Sequence, residues 1–486
     1  MENNSIWLSD LDYEMSDTLD HSIETDVLII GGGMTGMATA YHLRNSGLQV
    51  CLVEKNKIGH GVTARSTAKL TYLQELMYSN LAKIHSKEQA KLYYQSQKDA
   101  IQIVSDIVSK YHIDCDFKKV SSYVYTDKDS DVSKIKKEYE ILSSFGVDVK
   151  SITTLPNGVA CKYGIYVEDT AVFHPLKYLY GLKKVLEDTI SFYENTTVTS
   201  IKKVDGGYVC IAGNYEIKCK KIVLALHYPY FVFPYLFPLK VHLEKSYICA
   251  FPVTHGLDYS AITASSPITS VRFHSDKKHD YQIYLNGSHN LCMKNNEKEM
   301  FRNLIDEVNQ EPSYLWSNID VMTDDFLPYI GRLQGDIFIG TGYQTWGMTN
   351  GNIAGKVLSD LVVGNSNRYS LLFSPHRGLY LTRFLHSFVS FGSNVKSFVG
   401  SKVIKNKRWY SDRVQFFTLN GKPVASYTDD DGKKYLVYNR CPHLKCGLVF
   451  NEVEKTWDCP CHGSRFNLDG KCIEGPSNYD ISISLE

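Results

Sequence analysis

The stretch DVLIIGGGMTGMATAYHLRNSGLQVCLVE, residues 26–54, decides how most of the chain folds. Asp26 opens a short apolar run, Val27 to Ile30, that glycine closes, which predicts a buried parallel strand. Gly31, Gly33 and Gly36 then spell G-x-G-x-x-G, and apolar residues at helical spacing follow as far as Gly47. A second strand, Gln49 to Val53, ends at Glu54. Each part has a task in holding a dinucleotide. The glycines let backbone and pyrophosphate approach, the helix N-terminus attracts phosphate, and Glu54 accepts hydrogen bonds from a ribose diol. That carboxylate also repels a 2′-phosphate, which argues against NADP. A ligand-free glycine turn would need neither the strand, the helix nor the terminal acid. The fingerprint alone does not separate FAD from NAD.

Three further segments make that distinction. Lys55 to Thr71, with Gly61, Val62, Thr63, Ser66 and Thr67, is a small, hydroxyl-rich loop. Asp325-Phe-Leu-Pro328-Tyr-Ile-Gly331-Arg332 lies far downstream. The run from Ile337 through Gly340, Gly342, Trp346, Gly347, Met348 and Thr349 to Gly355 reads as strand, glycine turn and helix. With these segments, roughly residues 24 to 365 resemble the D-amino-acid oxidase superfamily, nearest its glycine oxidase and sarcosine oxidase branch. The resemblance implies an α/β Rossmann-type FAD-binding domain with an inserted α+β substrate domain, its segments within about 80–170 and 230–325. It also implies an FAD site built from Gly31, Gly33, Met34, Thr35, Gly36, Glu54 and Lys55. By the same resemblance the Gly59–Thr71 loop packs near pyrophosphate and flavin, Val198 meets adenine, and Gly342, Gly347, Met348 and Thr349 face the flavin ring. A helix N-terminus at the ring stabilises its anionic reduced form. Residues 310–330 hold no Cys, so the tether of sarcosine-oxidase-type members is missing and the FAD is expected to be noncovalent.

The other decisive segment pairs Cys441-Pro-His443-Leu-Lys-Cys446 with Cys459-Pro-Cys461-His462-Gly-Ser464. Cys441 with His443 and Cys459 with His462 form two matched Cys–His pairs. Two thiolates suit one iron of a [2Fe–2S] cluster and two imidazoles the other. A structural zinc site also accepts two Cys and two His. Zinc explains neither Cys446 and Cys461 nor the Cys-Pro-Cys-His-Gly-Ser string. The segment resembles a Rieske domain, whose potentials span about −150 to +300 mV because imidazoles leave the cluster less negative. The resemblance implies a small all-β domain at 406–486 and a disulfide between Cys446 and Cys461 tying the two ligand loops together. It places the Ser464 hydroxyl on a cluster sulfur, which raises the potential. Phe466 stands where a Tyr often adds a second such bond, so that contribution is missing.

Whole-chain properties narrow the class. The chain has 486 residues, with 53 basic and 53 acidic side chains and no polybasic run, so nucleic acid is not the expected partner. No run of 18 apolar residues predicts a transmembrane helix. The acidic first 25 residues lack the basic start and apolar run of a signal peptide. Seven of the twelve Cys are scattered through apparent core upstream of the cluster segment, which suits reduced thiols and a cytoplasmic protein. Residues 366–405 match neither domain. Leu379, Leu381, Phe384, Leu385 and Phe388 recur at helical intervals and predict a helical connector.

The expected function is oxidation of an amine or amino-acid C–N bond by hydride transfer to flavin. The electrons then pass singly through the cluster to an acceptor protein. A reductase running from cluster to FAD fits every motif equally, and a redox sensor that uses the Cys446–Cys461 pair is a third reading. A Rieske oxygenase is not expected, because no helix offers the two-His, one-carboxylate iron site. Arg272 and Arg332 are candidates for gripping a substrate carboxylate. His227 and Tyr228 follow a strand that returns to the flavin sheet. His174, before Pro175, is expected to pack a turn.

Overall fold

A computed structural model describes residues 4–9, 11–228, 240–291, 297–378 and 412–483. The strand Ile23–Ile30 lies inside a parallel sheet, because its last four side chains are apolar and buried on both faces. Val50–Val53 and Tyr215–Leu224 flank it, Ser191–Tyr193 and Ile337–Thr341 lie beyond, and Tyr329–Gln334 closes one edge antiparallel. The helix Met34–Leu43 starts from this sheet and packs on Gly347–Val362. That contact is a backbone approach: a Cβ on Gly355 would stand 2.4 Å from the Ala38 Cβ. Gly31 has φ +109°, where L side chains are strained, and a Cβ there would meet the Ala225 carbonyl at 2.4 Å.

Stretches 69–172 and 241–323 build a second, mostly antiparallel nine-stranded sheet, the inserted domain expected from the sequence. Its strands Val241–Val253 and Tyr314–Thr323 pair directly, and one face of each turns toward the flavin sheet's domain. Helices Asp129–Ser144 and Glu297–Val308 pack on it.

Residues 412–483 form the small all-β domain as a three-stranded and a four-stranded antiparallel sheet. Trp457, Phe450 and Tyr427 stack in sequence at its centre, each neighbouring pair 4.5 Å apart. The loop 441–448 and the turn 459–464, between Thr456–Asp458 and Arg465–Phe466, carry the Cys–His pairs.

Two segments depart from the sequence reading. Residues 366–378 belong to the flavin domain, because Tyr369, Leu372 and Phe373 are buried in its core and Ile330 N–H donates to the Phe373 carbonyl at 2.8 Å. The rest of the expected connector, 379–405, lies outside the described residues. The N-terminal segment is also structural. Trp7 is fully buried between the rings of His174 and His274 and donates through Nε1 to the Ser66 carbonyl at 2.7 Å. No described helix is long and apolar enough to cross a membrane.

Gly355→Ala should destabilise the flavin domain by about 1–3 kcal/mol through overpacking against Ala38, read as a lower midpoint in chemical unfolding followed by flavin release.

Candidate active site and cluster centre

The cradle, the hydroxyl-rich loop and the second helix N-terminus converge on one cavity of about 480 Å³. Gly31, Gly33, Met34 and Thr35 line it from the first turn, Glu54 and Lys55 from the next strand end. Gly61, Val62, Thr63, Ser66 and Thr67 line it from the loop, Val198 from the start of an antiparallel strand at the margin of the flavin sheet, and Gly347 and Met348 from the helix start. Gly36, Gly342 and Thr349 stand behind this surface. A Cβ on Gly36 would meet the Gly31 carbonyl at 1.9 Å, so its bareness serves helix–strand packing. Gly342 has φ +73° and turns the chain into the helix. Thr349 Oγ1 accepts from Gln74 Nε2 at 3.2 Å.

Glu54 is oriented by backbone: Gly32 N–H donates to one carboxylate oxygen at 2.7 Å and Asn56 N–H to the other at 2.9 Å. Burial raises its pKa, and the two amides oppose that rise. Spare lone pairs remain for a ribose diol. The bare glycines, this carboxylate and the helix dipole fit FAD.

The two arginine candidates are corrected by the structure. Neither lines the cavity. Arg272 is buried beneath the loop and donates from Nη1 to the carbonyls of Thr67, Ala68 and Phe173 at 3.1, 2.8 and 3.2 Å. It clips the loop to the sheet and has no fork left for a substrate. Arg332 is on the edge strand, solvent-exposed and paired with Asp336 at 3.4 Å. His174 caps the helix Pro175–Leu186, with Nδ1 accepting from Lys177 N–H at 3.3 Å. His227 and Tyr228 do line the cavity.

Sequence reading missed two parts of the lining. Lys69, Glu75, Glu244 and Asp320 bring charge to the inserted-domain side. The polar residues Glu244 and Ser246, and Asn318 and Asp320, each two apart and so on one face of a strand, were the available sign. Ile473, Glu474, Gly475, Pro476 and Asn478 bring a wall from the C-terminal domain.

In that domain Cys441 and Cys459 have sulfurs in mutual contact, and the His443 and His462 rings face each other at 5.0 Å, nearly perpendicular. Cys446 and Cys461 are joined as a disulfide. Both His443 nitrogens and His462 Nδ1 are buried without a hydrogen-bond partner. Such imidazoles are costly unless a metal takes the lone pair. Burial pushes His443 down to about 4 and His462 to about 3, so both are neutral and able to ligate. Backbone amides of His443 and Leu444 reach the Cys441 sulfur, and those of Cys461 and His462 reach Cys459. The Ser464 hydroxyl bonds Cys441 while its oxygen accepts from Ser477 N–H at 2.9 Å. Two sulfurs on one side and two bare imidazoles on the other fit a [2Fe–2S] cluster with Cys₂His₂ ligation.

The cluster end faces the cavity. The His462 ring lies 5.9 Å from the Tyr228 ring, and Gly463 is so close to Ile319 that a Cβ would stand 3.2 Å away. Around this contact is a buried ionic network. Arg465 meets Glu454 at 2.8 Å, Asp458 at 3.3 Å and Glu474 at 3.8 Å. Arg65, from the flavin loop, reaches Glu454 at 3.3 Å and Glu474 at 3.8 Å. Lys245, from the inserted sheet, reaches Glu297 at 2.6 Å and Asp458 at 3.1 Å.

Residues 26–361 match the family described as FAD dependent oxidoreductase. The chain belongs to that family. This oxidoreductase also matches the Rieske [2Fe-2S] domain over residues 401–483. Its two domains accordingly take FAD and a [2Fe–2S] cluster. It is 31% identical to the Bacillus subtilis (strain 168) protein YhfW, named for a Rieske 2Fe-2S iron–sulfur centre, across 97% of this chain and 95% of that one. It is 22% identical to the gamma-glutamylputrescine oxidoreductase of Escherichia coli (strain K12), over 75% of this chain and 90% of that one. In fold it resembles glycine oxidase from Geobacillus kaustophilus, with a TM-score of 0.62 and 17% identity over 74% of this chain and all of that one. L-proline dehydrogenase from P. horikoshii gives 0.61 and 17%, over 75% of this chain and 99% of that one.

Cys459→Ser should abolish the cluster's EPR signal while the flavin spectrum persists. Arg465→Ala leaves three buried carboxylates short of a cation and should cost about 3–5 kcal/mol, measured as a shift in the urea midpoint of the holoprotein.

Proposed function

We propose that this oxidoreductase removes a hydride from the carbon bearing a neutral amine, in an amine or amino-acid substrate, and delivers the electrons one at a time to a separate acceptor protein. The C–H electron pair would pass to FAD held by Gly31, Gly33 and Glu54, and the nitrogen would supply the pair that forms C=N. Its proton passes to water, and water then hydrolyses the imine to a carbonyl and a free amine. FAD, when bound, supplies the two-electron acceptor, and the cluster supplies a one-electron relay.

The observation that carries this reading is the shared wall. Tyr228 lines the cavity and also packs on the ring of His462, while Ile473 to Pro476 of the cluster domain close the same cavity. In this assignment Cys441 and Cys459 hold one iron and His443 and His462 the other. Gly31, Gly33 and Glu54 hold the dinucleotide. The helix start at Gly347 and Met348 directs its positive dipole end at the cavity and favours negative charge there. Trp346, Met348 and Phe326 give the cavity an apolar side that excludes water. The E. coli relative's name, an oxidoreductase of a glutamylated diamine, supports an amine substrate. A cytoplasmic location belongs to the same reading, because Cys51, Cys115, Cys161, Cys210, Cys219 and Cys249 are all unpaired.

Anaerobic mixing of the iron-loaded holoprotein with a panel of amines and amino acids should bleach the flavin band first and then bring up the reduced-cluster EPR signal. Cluster reduction by an external donor ahead of flavin, with no substrate response, would reverse the assigned direction. Acid precipitation should leave all of the flavin in the supernatant, as noncovalent binding requires.

A further inference from the structure

The inserted-domain side of the cavity has a polarity that narrows the substrate. On the paired strands Val241–Val253 and Tyr314–Thr323, Glu244 stands opposite Asp320 and Ser246 opposite Asn318. All four residues line the cavity, so they form a compact two-by-two patch. Two carboxylates directly opposite on neighbouring strands repel each other and destabilise the pairing. Glu75, within electrostatic reach of Glu244 and Lys69, adds a third carboxylate to the lining.

Compensating positive charge is scarce. No arginine is among the lining residues, and the lining lysine on this side, Lys69, is already bonded to the Ser270 hydroxyl and to the Ala261 carbonyl at 3.4 Å. His242, outside the lining, approaches Glu244 at 3.4 Å but is shared with Asp324 at 3.6 Å. Burial pushes Asp320 up to about 8 and Glu75 to about 7, with Glu244 adding to both, and lowers Lys69 to about 7. Burial is the main cause of all three shifts, and the Glu244 charge adds to the rise of the two carboxyls, while His242, which burial alone would lower, is raised by Asp324 and Glu244 to about 9.

Two further atoms point to a missing partner. Ser246 is 4% exposed and Asn318 5%, yet Ser246 Oγ and Asn318 Oδ1 have no hydrogen-bond partner. Strand alternation puts both side chains on the cavity face. The Asn318 amide already donates to Asp320 at 3.0 Å, which leaves its oxygen as an acceptor. Two carboxylates, an amide oxygen and a hydroxyl thus converge with spare acceptor capacity. An ammonium group, with its three donors, matches that set, and a carboxylate does not.

We propose that this patch of Glu244, Ser246, Asn318 and Asp320 binds the distal ammonium of a diamine or longer polyamine that carries no carboxylate. The inference rests on the amine-oxidising reading above and names the substrate class for that site. The near amine, neutral and at the flavin, is the one oxidised; the distal ammonium undergoes no chemistry and fixes the chain's register. An ammonium bound there places a cation beside Asp320 and favours the ionised form that burial opposes.

The test uses the full-length holoprotein, anaerobic, titrated with 1,4-diaminobutane, spermidine, n-butylamine, glycine and sarcosine. Binding is read by calorimetry and by perturbation of the oxidised flavin spectrum, and turnover by flavin bleaching. The diamine should bind at least roughly tenfold more tightly than n-butylamine, the gain expected of one charge-assisted contact, with glycine and sarcosine weaker than both. Asp320→Asn and, separately, Glu244→Gln should each erase most of that difference. FAD content, the cluster EPR signal and the thermal midpoint of each variant should stay close to those of the unsubstituted protein. Tighter binding or faster bleaching by the amino acids than by the diamines overturns the substrate class and leaves the amine-oxidising reading standing. Absence of binding and bleaching by every compound overturns both.

Discussion

A buried ionic cluster joins the two redox domains, and the guanidinium of Arg465 sits at its centre. That guanidinium is fully buried, and such a charge persists in a protein interior only when carboxylates surround it. Glu454, Asp458 and Glu474 do so, but three carboxylates exceed one cation, and the excess is met from the neighbouring domain by Arg65 and Lys245. Glu454 also accepts from the Ser317 amide at 3.2 Å. Neither domain therefore presents a self-sufficient surface at this junction. Each lacks charge that the other supplies, and that mutual need fixes how the cluster turn lies against the flavin domain.

The same junction explains why one residue type does different work at different depths. Arg65 closes the hydroxyl-rich loop and pairs across the domains, whereas Arg272 beneath that loop binds only backbone carbonyls. Trp7 lies over Arg272, whose guanidinium carbon is 5.0 Å from the ring centroid, and so ties the N-terminal segment to the loop. The loop that faces the pyrophosphate position is thus gripped from behind by an arginine, a tryptophan and an ion network.

What the sequence disclosed follows from the range of the interactions concerned. The candidate cluster ligands sit within five residues of one another in each loop, so their spacing and the flanking Cys446 and Cys461 singled out Cys441, His443, Cys459 and His462, and the glycine cradle was local in the same sense. The flavin fold and the small β domain were legible for that reason. Arg272 misled because a strand arginine looks the same whether its fork faces a cavity or a row of carbonyls; only the loop above it, about two hundred residues away in sequence, decides. Glu244 and Asp320 were illegible because their meaning lies in a strand register that pairs them, and no local pattern encodes a register. The wall at Ile473–Asn478 was missed because it acts on a cavity belonging to another domain.

That wall also has a temporal consequence. Glu474, Gly475 and Pro476 come more than a hundred residues after the last part of the flavin sheet, so a chain emerging from the ribosome completes its nucleotide cleft well before it makes the cover. During that interval the cleft stands open on the side that the finished protein closes. The order of segments along the chain thus lets the nucleotide cleft form, still uncovered, before the domain that walls it.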